Sequence, residues 1–144
     1  MTITEIRIKL IDGDHSRQRL RAFCSITFDA AFVVRDLKIL EGNQGYFIAM
    51  PSRKLAFRCP SCRQKNSVGS NFCSFCGVDL KDASAAVVAD LAPYKQYVDV
   101  VHPINSTCRE EIHRAIIAAY EEEKIRAQAP GYVSAYDEYF GNEM

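Results

Sequence analysis

Two Cys-x-x-Cys pairs constrain this chain more than any other feature of its sequence. The first pair is Cys59 and Cys62, and the second is Cys73 and Cys76, which Gly77 follows. A two-residue spacer lets both thiolates of a pair turn toward one ion, and two such pairs complete a tetrahedral sulfur shell without an open position. A closed shell stabilises a fold and does not activate water. The motif therefore predicts a structural zinc site in a small binding module rather than an enzyme.

Disulfide bonds or a redox dithiol are the other uses that these thiols could have. The sequence of 144 residues contains no apolar run long enough to span a bilayer and no start that resembles a signal peptide. We therefore expect a cytoplasmic protein without a membrane partner, and in that reducing compartment paired cysteines are more often metal ligands. One Zn²⁺ per chain is expected to fold a segment too short to bury a core of its own.

The formal net charge of zero conceals an uneven distribution of charge along the chain. Residues 1–81 hold 13 Lys and Arg against 7 Asp and Glu, whereas residues 82–144 hold 5 against 11. A basic first part followed by an acidic tail is a pattern that points to nucleic acid. Ordinary variation in surface charge explains the same distribution equally well, so charge alone leaves both interpretations open.

Alternating apolar and polar residues predict strands on both sides of the cysteines. Short turns join the strands before the cysteines, which indicates an antiparallel meander that ends at Pro51. The predicted strands cover residues 6–10, 20–28, 32–40, 46–50 and 97–101.

One amphipathic helix is predicted near the end of the chain. Thr107 and Glu110 match a capping box, and Pro130 with Gly131 ends the pattern. Apolar residues recur at helical spacing at Ile112, Ala115, Ile116, Ala119 and Tyr120. The predicted fold class is therefore α+β, with an antiparallel β-sheet followed by a C-terminal helix and with a small inserted four-cysteine zinc ribbon.

The predicted organisation is a discontinuous domain with additions. Residues 1–54 and 94–126 form the α+β domain, and residues 55–81 form the zinc ribbon. Residues 82–93 are an Ala-rich linker or a short helix capped by Asp82 or Ser84, and the linker is preferred. Residues 127–144 are an acidic tail that either docks on the domain or stays mobile. Its aromatic residues are Tyr132, Tyr136, Tyr139 and Phe140.

Several short stretches follow one another in a distinctive order along the chain. They are residues 6–8 (IRI), 22–29 (AFCSITFD), 32–37 (FVVRDL), 41–43 (EGN), 49–54 (AMPSRK), Asp99, 102–106 (HPINS) and Arg109. Together they cover roughly residues 3–54 and 96–121, and in this order they resemble the SpoVG family of small bacterial regulatory proteins. The resemblance implies a small α+β domain, a homodimer, and site-specific binding of DNA and, in some members, of RNA.

In SpoVG-like proteins the basic pair after Met-Pro-Ser is associated with nucleic-acid contact, and here that pair is Arg53 and Lys54. The helix that follows His-Pro-Ile-Asn is also associated with nucleic-acid binding, and Arg109 lies at its start. Three departures stand out: the four-cysteine segment replaces a short hairpin loop, Cys108 stands at a usually hydroxylic position, and the tail is additional.

Further basic residues surround the cysteines, and an Arg or Lys can pair with phosphate. Phe57, Phe72 and Phe75 lie among them and either stack on unpaired bases or pack the ribbon, and packing is preferred. Residues on the first two strands extend a basic sheet face or are solvated alternates, and both interpretations stay open. The candidate contacts near the cysteines are Arg58, Arg63 and Lys65, and those on or between the first two strands are Arg7, Lys9, Arg17, Arg19 and Arg21.

The sequence therefore predicts a dimeric nucleic-acid-binding regulator of transcription with a structural zinc ribbon. The alternative is an adapter whose ribbon grips another protein without direct nucleic-acid binding. No phosphate loop, Ser-His-Asp set or carboxylate pair indicates an enzyme, and Cys24 alternates with Leu20 and Ile26 as a core thiol does.

Overall fold

The strands before the cysteines form one antiparallel sheet, as their alternation predicts. The computed structural model describes residues 1–11, 18–90 and 96–137. The sheet has the order β1-β2-β3-β4, so each strand pairs with its neighbour in sequence. Its strands are β1 (Ile3–Leu10), β2 (Leu20–Phe28), β3 (Phe32–Gly42) and β4 (Gly45–Ala49). The predicted meander is confirmed.

The chain divides into two compact units. The first, called the sheet unit, consists of Met1–Pro51 and the chain from Val101 onward, and the second, called the cysteine unit, is Ser52–Val100. Neither helix of the described ranges combines the length and the apolar character that crossing a bilayer requires.

A helix covers the inner face of the sheet. The helix α2 (Ser106–Arg126) packs against β1 and β4. Ile8, Cys24 and Leu37 are register partners across three strands, so their side chains share this inner face. The buried core is Ile8, Ala22, Cys24, Ile26, Leu37, Ile39, Ile112, Ile116 and Tyr120. The predicted helical stripe and the predicted core position of Cys24 are confirmed, and burial raises the pKa of the Cys24 thiol to about 12.

The start of α2 differs from the prediction. Asn105 is the N-cap, and its side-chain oxygen accepts a hydrogen bond from the Cys108 N–H at 2.8 Å. Thr107, predicted to open a capping box, lies inside the first turn. Asn and Thr are both good caps, but Asn105 has the extended backbone that a cap needs, with φ −144°. The helix ends at Arg126, before Pro130.

The described part of the tail docks on the β-sheet, which agrees with the first of the two interpretations that the sequence left open. Tyr136 is buried, and its hydroxyl donates to Asp36 Oδ1 at 3.1 Å. Asp36 lies beside a register shift between β2 and β3 and has a positive φ of 64°. Tyr139 and Phe140 lie outside the described residues.

The cysteine unit consists of short elements. Its strands form two antiparallel pairs, β5 with β8 and β6 with β7. In chain order, the helix of this unit follows β7 and precedes β8. The predicted strand at 97–101 is confirmed for its first three residues. The elements are β5 (Ser52–Lys54), β6 (Ala56–Arg58), β7 (Lys65–Ser67), α1 (Lys81–Asp90) and β8 (Tyr97–Asp99).

The preferred linker interpretation of the Ala-rich segment is wrong, because α1 covers most of it. Neither Asp82 nor Ser84 caps this helix. Asp79 accepts from the Lys81 N–H at 2.8 Å, and Ser84 lies in the second turn, where its hydroxyl accepts from the Gly69 N–H. Alanine has the highest helix propensity, and the fully buried Leu80 anchors the start of the helix. The end of the predicted segment, residues 91–93, lies outside the described residues.

Candidate metal centre and basic surface

The four cysteines lie in two turns that have the same local structure. In the first turn the Arg63 N–H donates to Cys59 O at 2.9 Å, and in the second the Gly77 N–H donates to Cys73 O at 3.0 Å. Arg63 and Gly77 both have left-handed backbones, with φ of 68° and 78°. Glycine adopts this conformation without a steric penalty, whereas arginine pays one. The repeated turn brings each pair of thiols to the same side of its loop.

The sulfur atoms are close enough to share one metal ion. The ligand atoms of Cys59, Cys62, Cys73 and Cys76 all lie within 4.8 Å of one another. Two of the Sγ–Sγ distances are 3.7 Å, from Cys59 to Cys76, and 3.6 Å, from Cys62 to Cys73. A tetrahedron with Zn–S bonds of about 2.3 Å has edges of about 3.8 Å. The donor set and its spacing are therefore compatible with zinc, held in a closed shell.

Backbone N–H groups point at the first sulfur of each pair. Cys59 Sγ accepts from the N–H groups of Ser61 and Cys62 at 3.4 and 3.5 Å. Cys73 Sγ accepts from those of Phe75 and Cys76, both at 3.4 Å. These donors stabilise a thiolate. Donation from Cys62 lowers the pKa of Cys59, and donation from Cys76 lowers the pKa of Cys73 to about 6.

A buried asparagine, Asn66, forms hydrogen bonds with the turn that contains the second cysteine pair. Asn66 Nδ2 lies 3.3 Å from Cys73 Sγ, and Asn66 Oδ1 accepts from the Ser74 N–H at 2.9 Å. Asn66 lies in β7 opposite Phe57 in β6, so the β6–β7 hairpin sets its position. Groups that hold a metal ligand in place from outside the first shell tune the affinity of a site. The sequence analysis did not identify Asn66. The available signal was that a polar residue stands between two Cys-x-x-Cys pairs, opposite an apolar residue of the same hairpin.

The thiol cluster has little apolar packing around it. Its buried members are Cys59, Cys73 and Leu80, with Phe57 and Cys62 packed against them. The pKa of Cys62 is raised to about 12: the Gln64 backbone N–H acts to lower it, but desolvation and the three neighbouring cysteine sulfurs together raise it. The neighbouring sulfurs thus oppose ionisation of Cys62, and a bound cation would offset their effect.

The predicted basic contacts of the cysteine unit are all exposed. Arg58 and Lys65 are register partners across the β6–β7 hairpin, and Arg58 Nη1 donates to Arg63 O at 2.9 Å. The structure thus brings Arg58, Arg63 and Lys65 together. Arg53 and Lys54 are adjacent in β5, so their side chains point to opposite faces of that strand. The full set is Arg53, Lys54, Arg58, Arg63 and Lys65.

The basic stretch contains no acidic residue. Between Glu41 and Asp79 the sequence has no Asp or Glu, and all five predicted contacts of the cysteine unit fall in that interval. The sixth predicted contact, Arg109, is exposed on α2 and belongs to the sheet unit. Glu110, His113 and Arg114 share the surface around it, so its surroundings carry charges of both signs.

Two of the three phenylalanines contradict the preferred packing interpretation. Phe57 packs against the cysteine cluster as predicted, but Phe72 and Phe75 are 56% and 66% exposed. Phe75 lies between Cys73 and Cys76. Because those thiols turn inward, the residues between them are displayed outward. Lys81 Nζ lies 5.3 Å from the centroid of the Phe72 ring, so a cation accompanies this aromatic surface.

The fold and the site together define a small α+β protein that carries a four-cysteine cluster compatible with zinc. The family model described as SpoVG matches residues 1–122, which include all four cysteines. The chain therefore belongs to the SpoVG family, and the family resemblance predicted from the sequence is confirmed.

Curated bacterial relatives give the same assignment. The chain is 36% identical to a protein assigned as septation protein SpoVG in Finegoldia magna, over 85% of this chain and 77% of the relative. It is 35% identical to the protein of the same name in Clostridium acetobutylicum, over 86% and 88%. The corresponding protein of Heliobacterium modesticaldum is 31% identical, over 85% and 92%.

Proposed function

We propose that this protein is a homodimeric nucleic-acid-binding regulator of transcription, in which a structural Zn²⁺ organises part of the binding surface. The observation that carries the proposal is the exposed, acid-free basic stretch of the cysteine unit, which contains Arg53, Lys54, Arg58, Arg63 and Lys65. Such a stretch attracts phosphate by a sequence-independent electrostatic term that salt weakens.

The metal has a structural role in this proposal. Cys59, Cys62, Cys73 and Cys76 would hold Zn²⁺, which supplies the attraction that keeps four thiolates together. All four positions around the ion are then taken by sulfur, so no position remains for a substrate, and we propose no catalytic role. The cytoplasm is the proposed location, because its reducing conditions keep such thiols available. Elemental analysis of the purified protein should find one zinc per chain.

Exposed aromatic rings favour unpaired nucleic acid as the ligand of the cysteine unit. Phe72 and Phe75 present their rings to solvent in the same unit as the five cations. Aromatic rings stack on unstacked bases of any sequence, and neighbouring cations follow the phosphates. We therefore expect the protein to bind single strands at least as tightly as duplexes of the same length.

Exposed apolar side chains of the sheet unit support the dimer. Phe32 and Ile104 are 67% and 90% exposed, and Phe32 lines an apolar groove together with Phe28, Val101 and Pro103. Exposed apolar surface of this kind commonly marks an interface. Sedimentation equilibrium should give twice the mass of one chain, and Phe32→Ser should shift the distribution toward monomer.

The test of nucleic-acid binding compares two charge-matched double variants. Arg53→Ala with Lys54→Ala removes two cations of the cysteine unit, and Lys124→Ala with Arg126→Ala removes two cations from the last turn of α2 in the sheet unit. We expect the first to weaken binding of labelled DNA and RNA and to reduce the salt slope of log K by about 1 for each phosphate that is no longer bound. The second should bind as wild type does. Equal binding by both variants would contradict the proposal.

A protein-interaction adapter is a second candidate function. Val78 is also exposed, so Phe72, Phe75 and Val78 place three apolar side chains at the surface of the cysteine unit. Surfaces that bind proteins are enriched in aromatic residues. Protein that purifies free of nucleic acid and shifts neither duplexes nor single strands at low salt would favour this function over the first.

A further inference from the structure

The face of the sheet opposite α2 carries cations and an aromatic ring. Because alternate residues of a strand point to opposite faces, Arg7 and Lys9 point away from the core that contains Ile8. Lys9, Phe23 and Lys38 are register partners across β1, β2 and β3, which places an aromatic ring between two lysines. We call Arg7, Lys9, Phe23, Arg35 and Lys38 the outer face.

The chain's own tail lies on this outer face. Residues 132–137, called the docked segment, contact three of its cations. Asp137 pairs with Lys9 Nζ at 3.2 Å and with Arg35 Nη2 at 3.7 Å, through its two carboxylate oxygens. Arg7 Nη1 donates to Ala135 O at 3.1 Å. The Arg35 guanidinium carbon lies 4.8 Å from the centroid of the Tyr136 ring.

The docked segment is positioned by hydrogen bonds that fix its register on the sheet. Ser134 Oγ donates to Ile8 O at 2.9 Å. The Tyr136 hydroxyl donates to Asp36 Oδ1 and accepts from the Asp36 N–H at 3.2 Å. Tyr136 is 4% exposed, so it anchors the segment, while the Lys9 and Asp137 side chains of the ion pair are 48% and 66% exposed. Exposed ion pairs contribute little to stability, so a polyanion can displace this part of the segment.

The docked segment presents to the outer face the same two kinds of group as a single-stranded nucleic acid, an anion and a flat ring. It places one carboxylate between a lysine and an arginine and one ring under a guanidinium. A single strand offers the same pair of groups at every nucleotide, a phosphate and a base face. Residues 127–144 contain three acidic residues, Asp137, Glu138 and Glu143, and no Lys or Arg, so the tail as a whole complements a basic face.

We propose that the outer face is a second surface for single-stranded nucleic acid and that the docked segment occupies it as an internal competitor. The inference rests on the proposed function, since it assumes that nucleic acid is the ligand. Binding at the outer face requires release of the segment, so the apparent affinity is the intrinsic affinity reduced by the fraction of molecules whose segment is released. A long strand with many phosphates releases it more readily than a short one.

The experiment measures binding of a fluorescein-labelled oligothymidylate at low salt to wild type and three variants. A chain ended after Gly131 lacks the docked segment. Asp137→Asn keeps the Tyr136 anchor and removes both ion pairs. Glu122→Gln is the control, because it removes one exposed carboxylate from α2 and therefore changes the net charge equally. We expect the truncated chain to bind about three- to tenfold more tightly than wild type. Asp137→Asn should gain less, and Glu122→Gln should gain least.

Second variants separate this inference from the proposed function. Adding Lys9→Ala and Lys38→Ala to the truncated chain should remove the gain and restore roughly wild-type binding. Adding Arg53→Ala and Lys54→Ala should weaken both the wild-type and truncated chains while the ratio between them persists. Equal affinity of truncated and wild-type chains, with Arg53→Ala and Lys54→Ala still damaging, would overturn the inference alone. No loss from Arg53→Ala and Lys54→Ala would instead count against the proposed function.

Hydrogen exchange gives a readout that does not depend on a folded truncation. In the free protein the Asp36 and Tyr136 N–H groups are bonded to Tyr136 and to Ser134, respectively. Saturating oligothymidylate should speed exchange at both amides in wild type and should leave the Ile116 amide in α2 protected. Unchanged or slower exchange at both amides would overturn the inference, as would their release by an acidic peptide but not by the oligonucleotide.

Discussion

The sheet unit and the cysteine unit are held together by different interactions. In the described part of the chain, the sheet unit buries nine core residues, among them Ile26, Leu37 and Ile116, between its sheet and α2. The buried cluster of the cysteine unit has three, and two of them are thiols. Apolar burial stabilises the first unit, whereas the second has few buried groups and, under the proposed function, depends on a bound Zn²⁺. The proposal thus predicts that the stability of only one of the two units changes with the metal content of the solution.

Removal of bound zinc should produce the largest difference in stability between the two units. Binding of structural zinc contributes on the order of 10–16 kcal/mol in small modules, more than the cysteine unit's few buried groups can replace. We expect chelation, or Cys73→Ser, to abolish amide protection in the cysteine unit and to leave that of the sheet unit in place. Cys108→Ser is the control, since this cysteine lies outside the cluster. Unchanged protection of the cysteine unit in metal-free protein would contradict the comparison.

A cavity in the sheet unit should have the converse effect. Ile116 is fully buried, so Ile116→Ala should lower the free energy of unfolding of the sheet unit by about 2–5 kcal/mol. Circular dichroism during urea unfolding would measure it, and zinc content should not change. Ile125→Ala on the same helix removes the same atoms from a side chain that is 70% exposed and should cost less than about 0.5 kcal/mol. Equal costs for the two variants would show that α2 does not cover the core.

Asn66 tests whether the cysteine unit depends on its supporting hydrogen bonds as well as on its ligands. Asn66→Ala removes the donor to Cys73 Sγ and the acceptor of the Ser74 N–H. Loss of such a supporting group typically weakens metal affinity about 10- to 100-fold. Competition with a chelator would measure the change. Asn71→Ala is a matched control, because its side chain is exposed and its backbone oxygen, which bonds Leu80, is unaffected by the change. Identical affinities for both variants would remove Asn66 from the site.

The smallest effect concerns the start of α2. Asn105→Ala should lower the free energy of unfolding of the sheet unit by about 1 kcal/mol, because the Cys108 N–H loses its acceptor. Asn105→Ser should restore most of the loss, since serine is a comparable cap. Thr107→Ala should have little effect if Asn105 is the cap. Thermal unfolding followed by circular dichroism distinguishes the two, and a larger loss from Thr107→Ala would reverse the assignment.

Patterns confined to one element were predictable from the sequence. Alternation places strands, the stripe through Ile112 and Ile116 places the inner side of α2, and the spacing of the cysteines brings their sulfurs together. In each case one local repeat contains all the information, because residues on one face of an element share the same environment.

Features that depend on distant or competing partners were not predictable. The helix α1 begins where Asp79 accepts from Lys81 and Leu80 is buried, and neither fact follows from the alanines. Asn105, Ser106 and Thr107 are all acceptable N-caps by residue type. The residue that becomes the cap is the one whose backbone is extended where the helix begins. The contacts between the docked segment and the sheet join residues 100 or more positions apart, and no local pattern encodes them.

The pairing of β5 with β8 has a consequence for how such proteins diversify. Ser52 and Asp99 are register partners, so the polypeptide enters and leaves the cysteine unit at neighbouring points. Paired strand residues lie about 5 Å apart, a gap that a tight loop can close. Modules whose ends meet in this way can be exchanged without rearranging the host, as tolerated domain insertions show. The position between these two strands is thus a site where evolution or an engineer can replace the inserted segment with a different one.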